Sequence, residues 1–290
     1  MVTTQCHWAR LLIRTFCPVI IFLFSFGHAV SANETESLRV ETDVFADKDD
    51  VPIAHSLTLF SSEVAWDFLD TTATKKKNSE SESDHTKAFN GEIVLHDPTR
   101  ERVLLIDPLR QVKTSIDSIQ LERLRVSLSN WVRPSDDKLL CWAGGPHFEN
   151  GIHESDDAIE LVGPRVQYRI ETTDAPSPEM AGQYRQFADT ALLVRALLHP
   201  GGMPPFPRLA LNKRIASEAK LPTSVTLQID SRGSLVASGL SSMMQRHLHS
   251  VHRIHPALRS DDLQRIADAE ACMAIAEEVS LAEYTQAEKK

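Results

Sequence analysis

The sequence predicts an α+β fold, an antiparallel β-sheet with helices packed on one face. Two observations lead to it. Segments of period two arrive in consecutive groups, around residues 56–69, 93–116, 158–171 and 225–255, while helical three-four spacing is confined to stretches between or after those groups. Within the second group, Asp97-Pro98-Thr99-Arg100 and Asp107-Pro108-Leu109-Arg110 are two copies of Asp-Pro-x-Arg, ten residues apart. Aspartate bonds the amides of a following turn and proline presets the next φ, so the two copies mark two tight turns of an antiparallel meander.

The elements follow in order. Residues 33–50 are acidic and poor in large apolar side chains; they read as a flexible leader, with one edge strand at Leu38-Arg39-Val40. Residues 51–285 then read as a single α+β domain. Ser56-Leu57-Thr58-Leu59-Phe60 and Glu63-Val64-Ala65-Trp66-Asp67-Phe68-Leu69 are strands. Residues 71–88 include Lys75-Lys76-Lys77-Asn78-Ser79-Glu80-Ser81-Glu82, which buries too little apolar area to offset its ordering entropy and is expected to be a disordered loop. Ile93-Val94-Leu95, Val103-Leu104-Leu105-Ile106 and the stretch from Val112 to Ile116 are the meander strands.

Asp117 with Gln120 resembles a capping box, opening a helix with its apolar stripe at Leu121, Leu124, Leu128 and Trp131. Trp142-Ala143-Gly144-Gly145-Pro146 is rich in turn formers, and Gly163-Pro164 separates two further strands. Ser177, Pro178 and Glu179 are a helix start, followed by Tyr184, Phe187, Ala191, Val194 and Leu198 at helical spacing and by a stop at His199-Pro200-Gly201-Gly202. A short helix ends near Ala219; strands follow at Val225, Leu227 and Ile229, around Leu235, and over residues 243–255. Ser260-Asp261-Asp262 caps a last helix with Leu263, Ile266, Ala269 and Met273 inward.

The N-terminus has the three parts of a secretory signal: Arg10 and Arg14, an apolar stretch over residues 16–26, and the small residues Val30-Ser31-Ala32. The apolar stretch is far shorter than the roughly 20 residues of a spanning helix. The expectation is therefore a signal peptide over residues 1–32, cleaved near Ala32, and a secreted or periplasmic protein that is not an integral membrane protein. Cleavage removes Cys6 and Cys17 and leaves Cys141 and Cys272, either as one disulfide or as free thiols. The net charge of −9 becomes more acidic without Arg10 and Arg14, which disfavours nucleic acid as a partner.

Val64-Ala65-Trp66-Asp67-Phe68-Leu69, Gly91-Glu92-Ile93-Val94-Leu95-His96-Asp97-Pro98 and Arg102-Val103-Leu104-Leu105-Ile106-Asp107-Pro108 together resemble the LolA-type lipoprotein-carrier superfamily. The resemblance covers residues 53–117, and the chain is also similar to secreted bacterial proteins of unassigned function. It implies a curved, half-barrel-like sheet closed by helices over an apolar cavity, with a lipid or a lipoprotein as partner. The helices between residues 178 and 219 are longer than that family's lid, a departure in the second half of the chain.

Three functional readings follow. The leading one is a non-catalytic envelope protein binding an apolar ligand such as a lipid or lipoprotein acyl chain, with Phe60, Trp66, Phe68, Tyr184 and Phe187 as the ligand-binding residues. The second is an envelope protein acting through a protein partner. The third is a metal-dependent enzyme at His247-Leu248-His249-Ser250-Val251-His252-Arg253-Ile254-His255, where His247, His249 and His255 fall on one strand face and neutral imidazoles are good transition-metal ligands. The expectation is no cofactor, apart from a metal at that strand. Nucleophile elbow, His-Glu-x-x-His, phosphate loop and dinucleotide fingerprint are all missing from the sequence, so a non-enzyme is preferred.

Overall fold

The computed structural model describes residues 36–47, 50–71, 91–200, 202–230 and 247–286. The expected signal at 1–32, most of the expected loop at 71–88 and the strand expected around Leu235 lie outside the described residues. The strands are β1 (Leu38–Ala46), β2 (Ala54–Ser61), β3 (Val64–Thr71), β4 (Glu92–Asp97), β5 (Arg102–Asp107), β6 (Val112–Asp117), β7 (Ile152–Glu154), β8 (Ala158–Gly163), β9 (Val166–Asp174), β10 (Lys220–Ile229), β11 (His247–His255) and β12 (Glu277–Glu278). The helices are α1 (Ser118–Val132), α2 (Lys138–Ala143), α3 (Pro178–Leu198), α4 (Phe206–Ser217), α5 (Ser260–Ile275) and α6 (Leu281–Gln286).

Among the described residues all twelve strands join one sheet in the order β12-β6-β5-β4-β3-β2-β1-β11-β10-β9-β8-β7. Pairing is antiparallel throughout except for the short parallel contact of β12 with β6. The fold is therefore α+β, built on an antiparallel sheet.

Both Asp-Pro-x-Arg segments are turns. The Asp97 carboxylate accepts from the Arg100 amide (3.2 Å), the Asp107 carboxylate from the Arg110 amide (3.0 Å), and each turn leaves through a residue in the left-handed region, Glu101 at φ 50° and Gln111 at φ 53°. The capping box at α1 is present: Gln120 N–H donates to the Asp117 carboxylate at 2.6 Å, and the Gln120 side chain accepts from the Asp117 amide. Ser177 caps α3 through the Met180 amide (3.1 Å). Part of the turn-rich stretch near Trp142 is helical instead, because Asp137 accepts from the amides of Leu139 and Leu140 and so starts α2. The Trp142 ring lies against Gly163, where a Cβ would fall 2.4 Å from a ring carbon, so the β8–β9 hairpin needs glycine there for close approach, while the left-handed residue of the turn is Arg165 at φ 63°.

Three expectations need correction. The leader does not extend over residues 38–46: β1 is an interior strand, paired with β2 on one side and β11 on the other. Its alternation explains why. Leu38 and Val40 are fully buried on one face, while Arg39, Glu41 and Asp43 on the other find partners in Asp262, Arg253 and His55. Second, the helices do not share one face. On β5, Leu104 and Ile106 belong to a core with Ala269 of α5, whereas Val103 and Leu105 belong to a core with Val194 of α3. Successive strand residues point to opposite faces, so α5 covers the face opposite α3. Third, Trp131 and Leu263 are exposed rather than inward; the other expected residues of α5, Ile266, Ala269 and Met273, do face the sheet, joined by Cys272.

Cys141 and Cys272 are both free thiols. The described residues belong to one compact unit. No helix among the described residues is long and apolar enough to cross a membrane.

Candidate functional site

Strand register lays side chains in rows across the face under α3. One row runs His252, Thr42, Ser56, Leu69 and Glu92 from β11 to β4; the next runs Val40, Thr58, Asp67, Val94 and Leu105 from β1 to β5; a third runs Leu38, Phe60, Ala65, His96 and Val103. α3 crosses above them. Its first half sets Tyr184 and Phe187 over Phe60 and Ala65, and its second half sets Val194 over Val103 and Leu105. Between helix and sheet lies a cavity of about 310 Å³, lined by members of all three rows, by α3 from Tyr184 to Leu198 and by His199, and by Arg208 and Asn212 of α4. Ala191, Arg195 and His199 of the lining are exposed, so the cavity meets solvent at the outer side of α3.

The five aromatic residues predicted to bind a ligand separate into two groups. Tyr184 and Phe187 line the cavity, and Phe60 packs against both, edge-on to Phe187 at 5.6 Å and tilted to Tyr184 at 6.0 Å between ring centroids. Trp66 and Phe68 are on the opposite face, buried beneath α5 with Leu57, Leu59, Ile93, Leu95, Leu104 and Ile106. The strand period forces this division: Trp66 and Phe68 flank Asp67, so when the aspartate faces α3 they cannot.

His247, His249 and His255 do share a face of β11, yet they do not converge. His255 is six residues from His249, about 20 Å along an extended strand, too far for a shared ion. His247 Nδ1 donates to the Asp47 carbonyl (3.0 Å) and His249 Nδ1 shares a hydrogen bond with Thr226 Oγ1 (3.0 Å). Among the described residues no three His, Cys, Asp or Glu side chains are grouped to hold a metal. The histidine of this strand that reaches the cavity is His252, on the other face, held between Thr42 Oγ1 and Ser250 Oγ at 3.0 Å each.

The polar groups of the cavity are tuned by burial. Asp67 is buried, and desolvation raises its pKa to about 6 although it accepts hydrogen bonds from Thr58 Oγ1 (2.8 Å) and Ser56. His96 is lowered to about 4 and His252 to about 3, both by desolvation first, with Arg208 adding repulsion at His252. Both imidazoles are therefore neutral near pH 7. His96 Nε2 meets Thr190 Oγ1 of α3 at 3.3 Å, and Glu92 accepts from the Tyr284 hydroxyl at 2.8 Å.

Sequence reasoning missed Asp67, His96, His252 and Arg208. The alternation of β3 contains the signal for Asp67, since Ala65, Asp67 and Leu69 form the face opposite the two aromatics. Arg208 has no such signal; its place follows from how the chain after α3 folds back. The chain matches no family model and no curated protein.

Proposed function

We propose that this protein binds an amphiphile with one apolar tail, such as a lipid or the acyl chain of a lipoprotein, in the space between α3 and the sheet. The observation that carries this reading is a cavity with an apolar stretch made by Val94, Val103, Leu105, Leu192, Val194 and Leu198, and with the buried polar groups of Thr58, Asp67, His96 and Asn212 also in its wall. Its volume of about 310 Å³ is at the small end of the range of roughly 300–1,000 Å³ for small-molecule sites, which favours a single chain over a multiply acylated anchor. The lining runs from β11 to β5, five strand spacings or about 24 Å, so an extended chain fits better than a compact molecule. An antiparallel sheet with a cavity on the α3 face is what an open half-barrel of the lipoprotein-carrier type would supply, and export past a signal ending near Ala32 would place such a carrier in the envelope. No catalytic role is proposed.

The test is titration of the purified protein with a fluorescent long-chain fatty acid. One probe bound per chain, with binding lost in Ala188→Phe while that variant unfolds thermally like the parent, supports the reading. Ala188 lines the cavity from α3, so a phenylalanine there fills it. No saturable binding, or equal binding by Ala188→Phe, overturns it.

A further inference from the structure

Arg208 lines the same cavity from the first turn of α4, and its Nη1 is buried without a hydrogen-bond partner. Among the described residues no carboxylate makes an ion pair with it. Burying a guanidinium in this way is costly unless a counter-charge arrives.

None of the groups around it closes a hydrogen bond or ion pair with it. Asp189 attracts it electrostatically but at no ion-pair distance, and the Asp189 oxygens accept instead from Asn212 Nδ2 (2.8 Å) and Arg185 Nε (3.3 Å). Tyr184 and Tyr168, which also face Arg208, have phenols pushed up by desolvation and so carry no charge at neutral pH. His252 is neutral as well, for desolvation and the Arg208 charge both oppose its protonation. α4 begins without a side-chain cap, so its first-turn amides add to the positive end at this place.

We propose that Arg208 receives the carboxylate head of a long-chain monoanionic amphiphile, whose tail runs beneath α3 toward Val103, Leu105 and Val194. This rests on the amphiphile reading above and adds the charge and polarity of the ligand to it. A planar carboxylate matches the two-donor fork of a guanidinium. The second arginine of the lining, Arg195, is exposed on α3, so Arg208, with Asp67 and Asp189 in the same region, suits a single negative charge and not a dianion. Desolvated on both sides, the pair is stronger than the same pair in water, and a carboxylate here gives Arg208 Nη1 the acceptor that the protein does not.

The experiment compares palmitate, hexadecanol and acetate on the full chain and on Arg208→Gln and Arg208→Lys by calorimetry. Palmitate is expected to bind at least tenfold more tightly than hexadecanol, and acetate not at all. Arg208→Gln should erase the preference for palmitate while leaving hexadecanol affinity within twofold, and Arg208→Lys should restore part of it. The ligand-free Arg208→Gln protein should also melt at a higher temperature than the parent, because the unpaired buried cation is gone; an arginine with a purely structural role would make it melt lower. Equal affinity for palmitate and hexadecanol in the parent, or an unchanged preference in Arg208→Gln, overturns the role of Arg208 while leaving the cavity reading intact. Failure of both long-chain ligands to bind overturns both.

Discussion

Replacing Asp67 by asparagine should stabilise the ligand-free protein at neutral pH, and the size of the effect follows from where the residue lies. Asp67 is 7% exposed, in the middle of the sheet, and its carboxyl is raised from 3.8 to about 6. The folded protein thus holds a proton that the unfolded chain releases between those two values. The sign is the reverse of the usual carboxylate case: the penalty is absent below about pH 4, grows as the pH rises, and is complete above the folded value near 6. A shift of this size is worth about 3 kcal/mol, or roughly 6–12 °C in melting temperature for a domain of this length. Asparagine keeps an oxygen to accept from Thr58 Oγ1, and the Ser56 hydroxyl can turn to accept from its amide. Urea unfolding of parent and Asp67→Asn should therefore show the variant about 3 kcal/mol more stable at pH 7.5 and within about 1 kcal/mol of the parent at pH 4. A variant less stable than the parent at pH 7.5, or a gap of the same size at both pH values, would refute burial as the cause.

Two further outcomes are expected. His96 titrates near 4 when folded and near 6.5 when unfolded, so it withdraws stability as the pH falls through 6.5, about 3 kcal/mol by pH 4; in His96→Gln the acid limb of the stability profile should flatten by that amount, and a limb parallel to the parent's would contradict the desolvation of His96. Phe68→Leu and Phe187→Leu each remove a few buried carbons and should each cost about 1–2 kcal/mol in urea unfolding, but only Phe187→Leu should weaken fatty-acid binding, by severalfold in the fluorescence titration. Equal loss of affinity in the two variants would mean that the two faces of the sheet are not independent.

Local features were readable because they depend on neighbours in the chain. The capping box at Asp117, the Ser177-Pro178 helix start and both Asp-Pro-x-Arg turns are satisfied by atoms within three residues, and each forms as expected. The strand period likewise fixed that Trp66 and Phe68 share one face and Asp67 the other. It did not fix which face belongs to the cavity, since the sequence of β3 is compatible with a helix on either side. The two aromatics looked like the ligand wall and are in fact the core beneath α5.

Long-range pairing decided the rest. β1 became an interior strand because β11, some 200 residues later, pairs with it through an eight-residue register from Arg39↔His255 to Ala46↔Leu248. That pairing brings the two halves of the sheet together, turns His252 inward beside Thr42 and leaves His247 and His249 on the other face. By itself the sequence determined the α+β class, most strand and helix segments and the alternation along each strand, all set by chain-local geometry and apolar periodicity. Only the tertiary structure decided which face α3 and α5 each cover, and so which alternating set is core and which is cavity. It also left Arg208 Nη1 buried there without a hydrogen-bond partner, because the position of a residue on α4 relative to β11 and α3 depends on contacts that no local pattern encodes.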